Sequence, residues 1–145
     1  MNETEDGSAA DIAMSVRAAI TRLTRRLRQV RPIGELTQSQ LSALASLELA
    51  GSLTPTELAE AERVQPPTMT RIVAKLEAAG LVKREPHPTD GRQSILSATD
   101  QGRAVFADNR RAREAWLTLR IADLPASDRA TLRAAAEILS RLARD

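Results

Sequence analysis

The chain has 145 residues, a size that fits one domain with a real but limited core. It has no cysteine and one histidine, His87, which excludes disulfides, cysteine nucleophiles and thiol redox sensing and leaves too few ligands for a thiolate or histidine metal site. The formal net charge is only +2, and all but Lys75 and Lys83 of the 21 basic residues are arginine, so a partner has to be inferred from where the arginines sit.

Residues 1–11 are acidic and polar and lack a basic stretch followed by an apolar one, so they read as a flexible tail on a cytoplasmic protein. No apolar run approaches the roughly 20 residues that span a bilayer, and no membrane partner is expected. From Ile12 the pattern changes. Ile12, Val16, Ile20, Leu23, Leu27 and Val30 recur at spacings of three and four and form one stripe of a long helix, with arginines as its solvated face. Pro32 and Gly34 are expected to end it.

A second helix is expected from Thr37. There Thr37-Gln38-Ser39-Gln40 has the form of a capping box, Leu41, Leu44 and Leu47 share a face, and Gly51 is the stop. Thr54-Pro55-Thr56-Glu57 opens a third helix as another capping box with proline at its first position. That helix ends near Ala61, and Glu62-Arg63-Val64 makes a turn. Pro66 and Pro67 are tolerated only at the start of a fourth helix. It carries Met69, Ile72, Val73 and Leu76 inward and stops at Gly80.

The period then shortens. Residues 81–85 and 94–97 read as two strands, joined by the turn-forming stretch Pro86 to Gln93. A long helix is expected over 100–121, and Pro125 with Ser127 as cap separates it from a last helix with Leu132, Ala135, Leu139 and Leu142 on one face. Trp116 reads as a packing residue rather than a ligand platform. With one Trp, one Phe and no Tyr, stacking on single-stranded nucleic acid is poorly supported.

Two helices joined by a tight turn and followed by a hairpin have the dimensions of a helix-turn-helix with a wing. In such a unit the second helix enters the major groove of duplex DNA, led by its N-terminal end. Its inward face leaves Gln65, Pro67, Thr68, Thr70, Arg71 and Lys75 as the candidate reading surface. Arginine can bridge guanine O6 and N7, and threonine can bond a base edge or touch a thymine methyl. The first turn also offers free N–H groups to a phosphate. On the hairpin, Arg92 suits a minor groove, with Asp90 placed to hold its guanidinium, while Lys83 and Arg84 suit backbone phosphates. Arg71 and Lys75 on an isolated helix would be an ordinary solvated face. Their place after such a turn and before a basic hairpin favours DNA.

Residues 54–102 closely resemble the MarR family of bacterial regulators. The matching features are KLEAAGLVKR (75–84), the wing PTDGR (88–92) and the strand-to-helix join LSATDQG (96–102). The resemblance extends more weakly to the flanking helices. It implies a dimer built from the first and last helices, binding to pseudo-palindromic DNA, repression of nearby genes, and release by a small aromatic acid or similar ligand. Two positions depart from the family pattern. His87 stands where an acidic residue usually precedes the wing proline, and Gly91 stands where arginine is common.

The expected fold is therefore mostly α with a small β-hairpin wing. A winged helix-turn-helix over 36–99 is flanked by dimerisation helices over 12–35 and 100–145. The expected partners are double-stranded DNA, a second copy of the chain and a small-molecule effector, with no cofactor and no metal. A winged-helix module turned to protein partners is the alternative, and the basic face of the fourth helix argues against it. An enzyme is a third reading, opposed by the lack of a nucleophile–base pair, a metal cluster or a phosphate-cradling glycine loop.

Overall fold

A computed structural model describes residues 7–30 and 36–144. Among these the order is α1 (Ala9–Gln29), α2 (Gln38–Ala50), α3 (Pro55–Glu62), α4 (Pro66–Ala78), β1 (Val82–Pro86), β2 (Ser94–Ala98), α5 (Asp100–Ala122) and α6 (Ala126–Leu142). The chain is mostly helical with one antiparallel hairpin, as expected. No helix among the described residues is long and apolar enough to cross a membrane.

Local chemistry accounts for most boundaries. Helix α1 starts at Ala9, ahead of Ile12, because the Ser8 side chain accepts a bond from the Asp11 N–H. Pro32 and Gly34, expected to end it, lie outside the described residues. The capping box at Thr37 forms in full: Thr37 accepts from the Gln40 N–H and the Gln40 side chain accepts from the Thr37 N–H. At Thr54 only half forms, since Thr54 accepts from the Glu57 N–H but the reciprocal bond is not made. Helix α4 ends in a Schellman motif, with Gly80 N–H bonded to Glu77 O and Leu81 N–H to Leu76 O. This needs the left-handed backbone that Gly80 adopts at φ +74°. Pro125, not Ser127, takes the N-cap position of α6, and no side chain caps that helix.

The core lies where α2, α3, α4 and the hairpin meet. Leu44 and Leu47 of α2, Leu58 of α3, Met69, Val73 and Leu76 of α4 and Leu96 of β2 are all fully buried. Each such side chain contributes about 1.5–3 kcal/mol of burial. The strands pair from Val82 with Ala98 to Pro86 with Ser94. Leu53, between α2 and α3, adds a single bridge to Leu96 through two backbone bonds of 3.0 and 2.8 Å. That bridge fastens the helix-turn-helix to the wing.

The start of α5 is bound to the end of α4. Thr99 donates its hydroxyl to Gly80 O at 2.6 Å and its N–H to Leu81 O at 3.0 Å, and it caps α5 by accepting from Gly102 N–H. Gly102 is buried against Leu81, and a Cβ there would overlap the Leu81 carbonyl oxygen. Helices α1 and α6 differ from the rest in burying no residue. Gly102→Ala should therefore destabilise the fold by about 3 kcal/mol or more, since neither the helix nor the carbonyl can yield freely. Gly91→Ala should change stability by less than about 0.5 kcal/mol, because a Cβ there meets nothing. Urea unfolding of both variants checks the pair.

Candidate nucleic-acid interface

The turn between α3 and α4 is built from three contacts. Arg63 takes a left-handed backbone at φ +53°, with its N–H on Glu60 O, and Val64 N–H bonds Ala59 O. Glu62 accepts hydroxyl bonds from Ser42 at 2.6 Å and Ser46 at 2.5 Å. The end of α3 is thereby pinned to α2, which fixes the direction in which α4 departs.

Helix α4 buries Met69, Val73 and Leu76, half-buries Ile72, and leaves Pro67, Thr70, Arg71 and Lys75 exposed, with Thr68 half-buried beside them. Pro67, Arg71 and Lys75 recur every four residues and make one stripe. Gln65 is the exposed N-cap, and its side chain makes no capping bond. Pro66 and Pro67 hold the first two helical positions, so two of the four N–H groups expected to be free there do not exist. The helix start offers less to a phosphate than its position alone suggests. Thr70 donates its hydroxyl to Pro66 O at 3.0 Å and presents its methyl and a remaining lone pair. Arg71 and Lys75 make no ion pair among the described residues.

The wing cations divide into two sets. Lys83 lies 3.5 Å from Glu85, and Arg84 bonds Glu77 of α4 at 2.8 Å. All these groups are substantially exposed, so the pairs contribute little stability and open at small cost. Arg84 also lines a notch of about 150 Å³ with Pro55, Thr56, Pro66 and Thr70, between the starts of α3 and α4. Arg92 is exposed and has no ion pair among the described residues.

Asp90 acts differently from the expectation. Its carboxylate accepts from the Arg92 backbone N–H at 3.1 Å and does not hold the guanidinium. The side chain is short and reaches the nearest donor two residues on, which shapes the turn and leaves Arg92 free to move. His87, read from sequence as an exposed loop residue, is half-buried at the base of the tip. Its Nδ1 accepts from the N–H groups of Thr89 and Asp90 at 3.2 and 3.1 Å, and its own N–H bonds Gln93 O. Accepting at Nδ1 places the proton of the neutral ring on Nε2. Nothing in its one-letter context marked this role beyond the run of turn formers that follows it.

The model of the MarR family matches residues 36–94, which hold α2, the helix-turn-helix and the outgoing strand of the wing. An HTH-type transcriptional regulator of Mycobacterium tuberculosis is 44% identical over 93% of this chain and 94% of its own length. The chain belongs to the MarR family. The HTH-type transcriptional repressor MdtR of Bacillus subtilis is 32% identical over 71% of the chain and 66% of its own length. The crystal structure of a Pseudomonas aeruginosa protein superposes with a TM-score of 0.84 at 34% identity, covering 97% of this chain and 99% of that one. Wild-type MarR of Escherichia coli in its apo form superposes at 0.70 and 25% identity, covering 93% and 98%. As a MarR-family regulator, the chain is a DNA-binding transcriptional regulator and not an enzyme.

The Arg84–Glu77 pair yields a test on DNA. Glu77→Gln releases Arg84 from its internal anion. The variant should bind duplex DNA several-fold more tightly, and the plot of log affinity against log salt should steepen by about 0.9, one further phosphate contact. Fluorescence anisotropy across a salt series measures both. An unchanged slope would mean that Arg84 faces no phosphate.

Proposed function

We propose that the chain is a homodimeric repressor that reads a pseudo-palindromic operator and is released by a small acidic ligand. The observation that carries this reading is a pair of exposed, unpaired cations, Arg71 and Lys75, on the outward stripe of α4, with a third, Arg92, on the wing. In this reading α4 lies in the major groove. Arg71 bridges a guanine, Thr68 and Thr70 contact base edges or thymine methyls, and Gln65, Pro67 and Lys75 flank them. Lys83 and Arg84 exchange their internal carboxylates for phosphates, and Arg92 enters the minor groove from a turn shaped by Asp90 and His87.

Dimerisation through residues 12–35 and 100–145 is supported by unpartnered apolar side chains. Ile20 and Leu23 of α1, Leu119 of α5, and Leu132, Ile138 and Leu142 of α6 are between 43% and 69% exposed in the single chain. A patch of this kind marks an interface in proteins of this size. Repression is supported by MdtR, named a repressor. Action on DNA in the cytoplasm accords with the absence of a long apolar helix among the described residues.

Selection of bound duplexes from a random pool at near-physiological salt tests the whole reading. An inverted repeat with half-sites about 10 base pairs apart is the expected product. Recovery of no motif would favour a module turned to protein partners. Arg71→Ala should cost about 1–3 kcal/mol and relax preference at one position of each half-site. Retained preference would remove Arg71 from the reading face. Ile138→Glu, at an exposed position of α6, should shift sedimentation toward the monomer and weaken operator binding together. A variant that stays dimeric would move the interface off α6.

A further inference from the structure

A cleft of about 520 Å³ opens between the C-terminal end of α1, the start of α2 and the middle of α5. Its size suits a small ligand. Its composition is unusual. Arg25, Arg28 and Arg113 all line it, and no acidic residue does among the described residues. Arg113 bonds Gln38 Oε1 through Nη2 at 3.1 Å, while its Nε is buried and has no partner. A buried donor left unpaired carries a desolvation cost that a bound acceptor would remove. Burial first, and then the charge of Arg28, hold the Arg113 guanidinium below its ordinary pKa. Like charges are thus gathered in one cleft with no internal counter-charge in its lining.

The apolar part of the wall is aliphatic: Val30, Leu36, Leu41 and Val105. Neither Phe106 nor Trp116 reaches it, and the Trp116 ring stacks instead under the Arg120 guanidinium at 3.8 Å. A planar aromatic acid would find no ring to stack on and would neutralise one of three cations. A compact anion with several carboxylates would engage the guanidinium forks in bidentate pairs and relieve their mutual repulsion.

We propose that this cleft binds a small aliphatic anion carrying two or more negative charges, held by Arg28 and Arg113. This deepens the proposed release by an acidic ligand and rests on that reading only for its effect on DNA. The route to DNA would run through α2, which presents Gln38 and Leu41 to the cleft and Ser42 and Ser46 to Glu62 at the end of α3.

Calorimetric titration of the full chain at constant ionic strength tests it, with citrate, benzoate and sulfate as probes. Citrate should bind saturably at one site per chain, with benzoate and sulfate at least about tenfold weaker. Arg113→Gln and Arg28→Gln should each weaken citrate by about tenfold or more, and Arg113→Lys should fall between, keeping charge but losing the fork. Arg28 is exposed, so its variant tests the site even if Arg113→Gln fails to fold. Benzoate binding as tightly as citrate would overturn the ligand class. Sulfate binding as tightly would reduce the cleft to a site for any oxyanion and overturn it equally. Citrate affinity unmoved by Arg28→Gln would overturn the site. Operator binding without ligand should be the same in wild type and both glutamine variants. If wild type binds no operator, the repressor reading fails while the calorimetry still decides the cleft.

Discussion

Everything that this chain presents to DNA hangs on one close junction, where Gly80 and Leu81 leave α4 and Thr99 to Gly102 enter α5. Three elements share it. The Schellman turn closes the recognition helix, Leu81 starts the wing on a buried side chain, and Thr99 bonds both Gly80 O and Leu81 O. The approach is close enough that only glycine fits at position 102. The recognition helix, the wing and the long helix toward the partner subunit are therefore held in one frame. A shift of α5 cannot be absorbed locally, because packed interiors transmit displacement rather than soften it.

The charges on the DNA face follow a different logic from the core. Arg71, Lys75 and Arg92 have no internal partner among the described residues, while Lys83 and Arg84 are held by Glu85 and Glu77. Exposed pairs of this kind are worth little, so exchanging a carboxylate for a phosphate is close to neutral in energy before counterion release is added. The unpaired set suits base reading, and the paired set suits positioning. The two prolines at the start of α4 sharpen this division, since they remove backbone donors that would otherwise add phosphate contacts with no sequence content.

The terminal helices are incomplete in one chain. Helices α1 and α6 keep amphipathic sequences yet bury nothing, and their apolar stripes stay open. The arginine-lined cleft sits where α1 meets α2 and α5, between these open helices and the compact core. Occupancy there would bear on both, since an anion bridging Arg28 and Arg113 ties α1 to α5.

Much of this could be read from residues alone. Helix spans followed from apolar spacing of three and four. Their starts followed from Thr37, Thr54 and the proline pair, and the hairpin followed from a run of turn formers between short apolar stretches. These signals are local, set by backbone sterics and by bonds within a few positions, so one sequence carries them whole. Other features depend on residues far apart in the chain. A single bridging residue such as Leu53 has no alternation to display, the hydroxyls of Ser42 and Ser46 look like any polar helix surface, and Arg113 gives no sign that it faces Gln38 across 75 positions. Asp90 and His87 show the same limit at short range: their types suggested a charge partner and a solvated ring, and the fold of the tip turned both onto backbone N–H groups. The sequence by itself determined the elements, the family and the outward stripe of α4. Only the tertiary structure decided which cations stay free and where three arginines converge, because both depend on distances between groups that no local rule constrains.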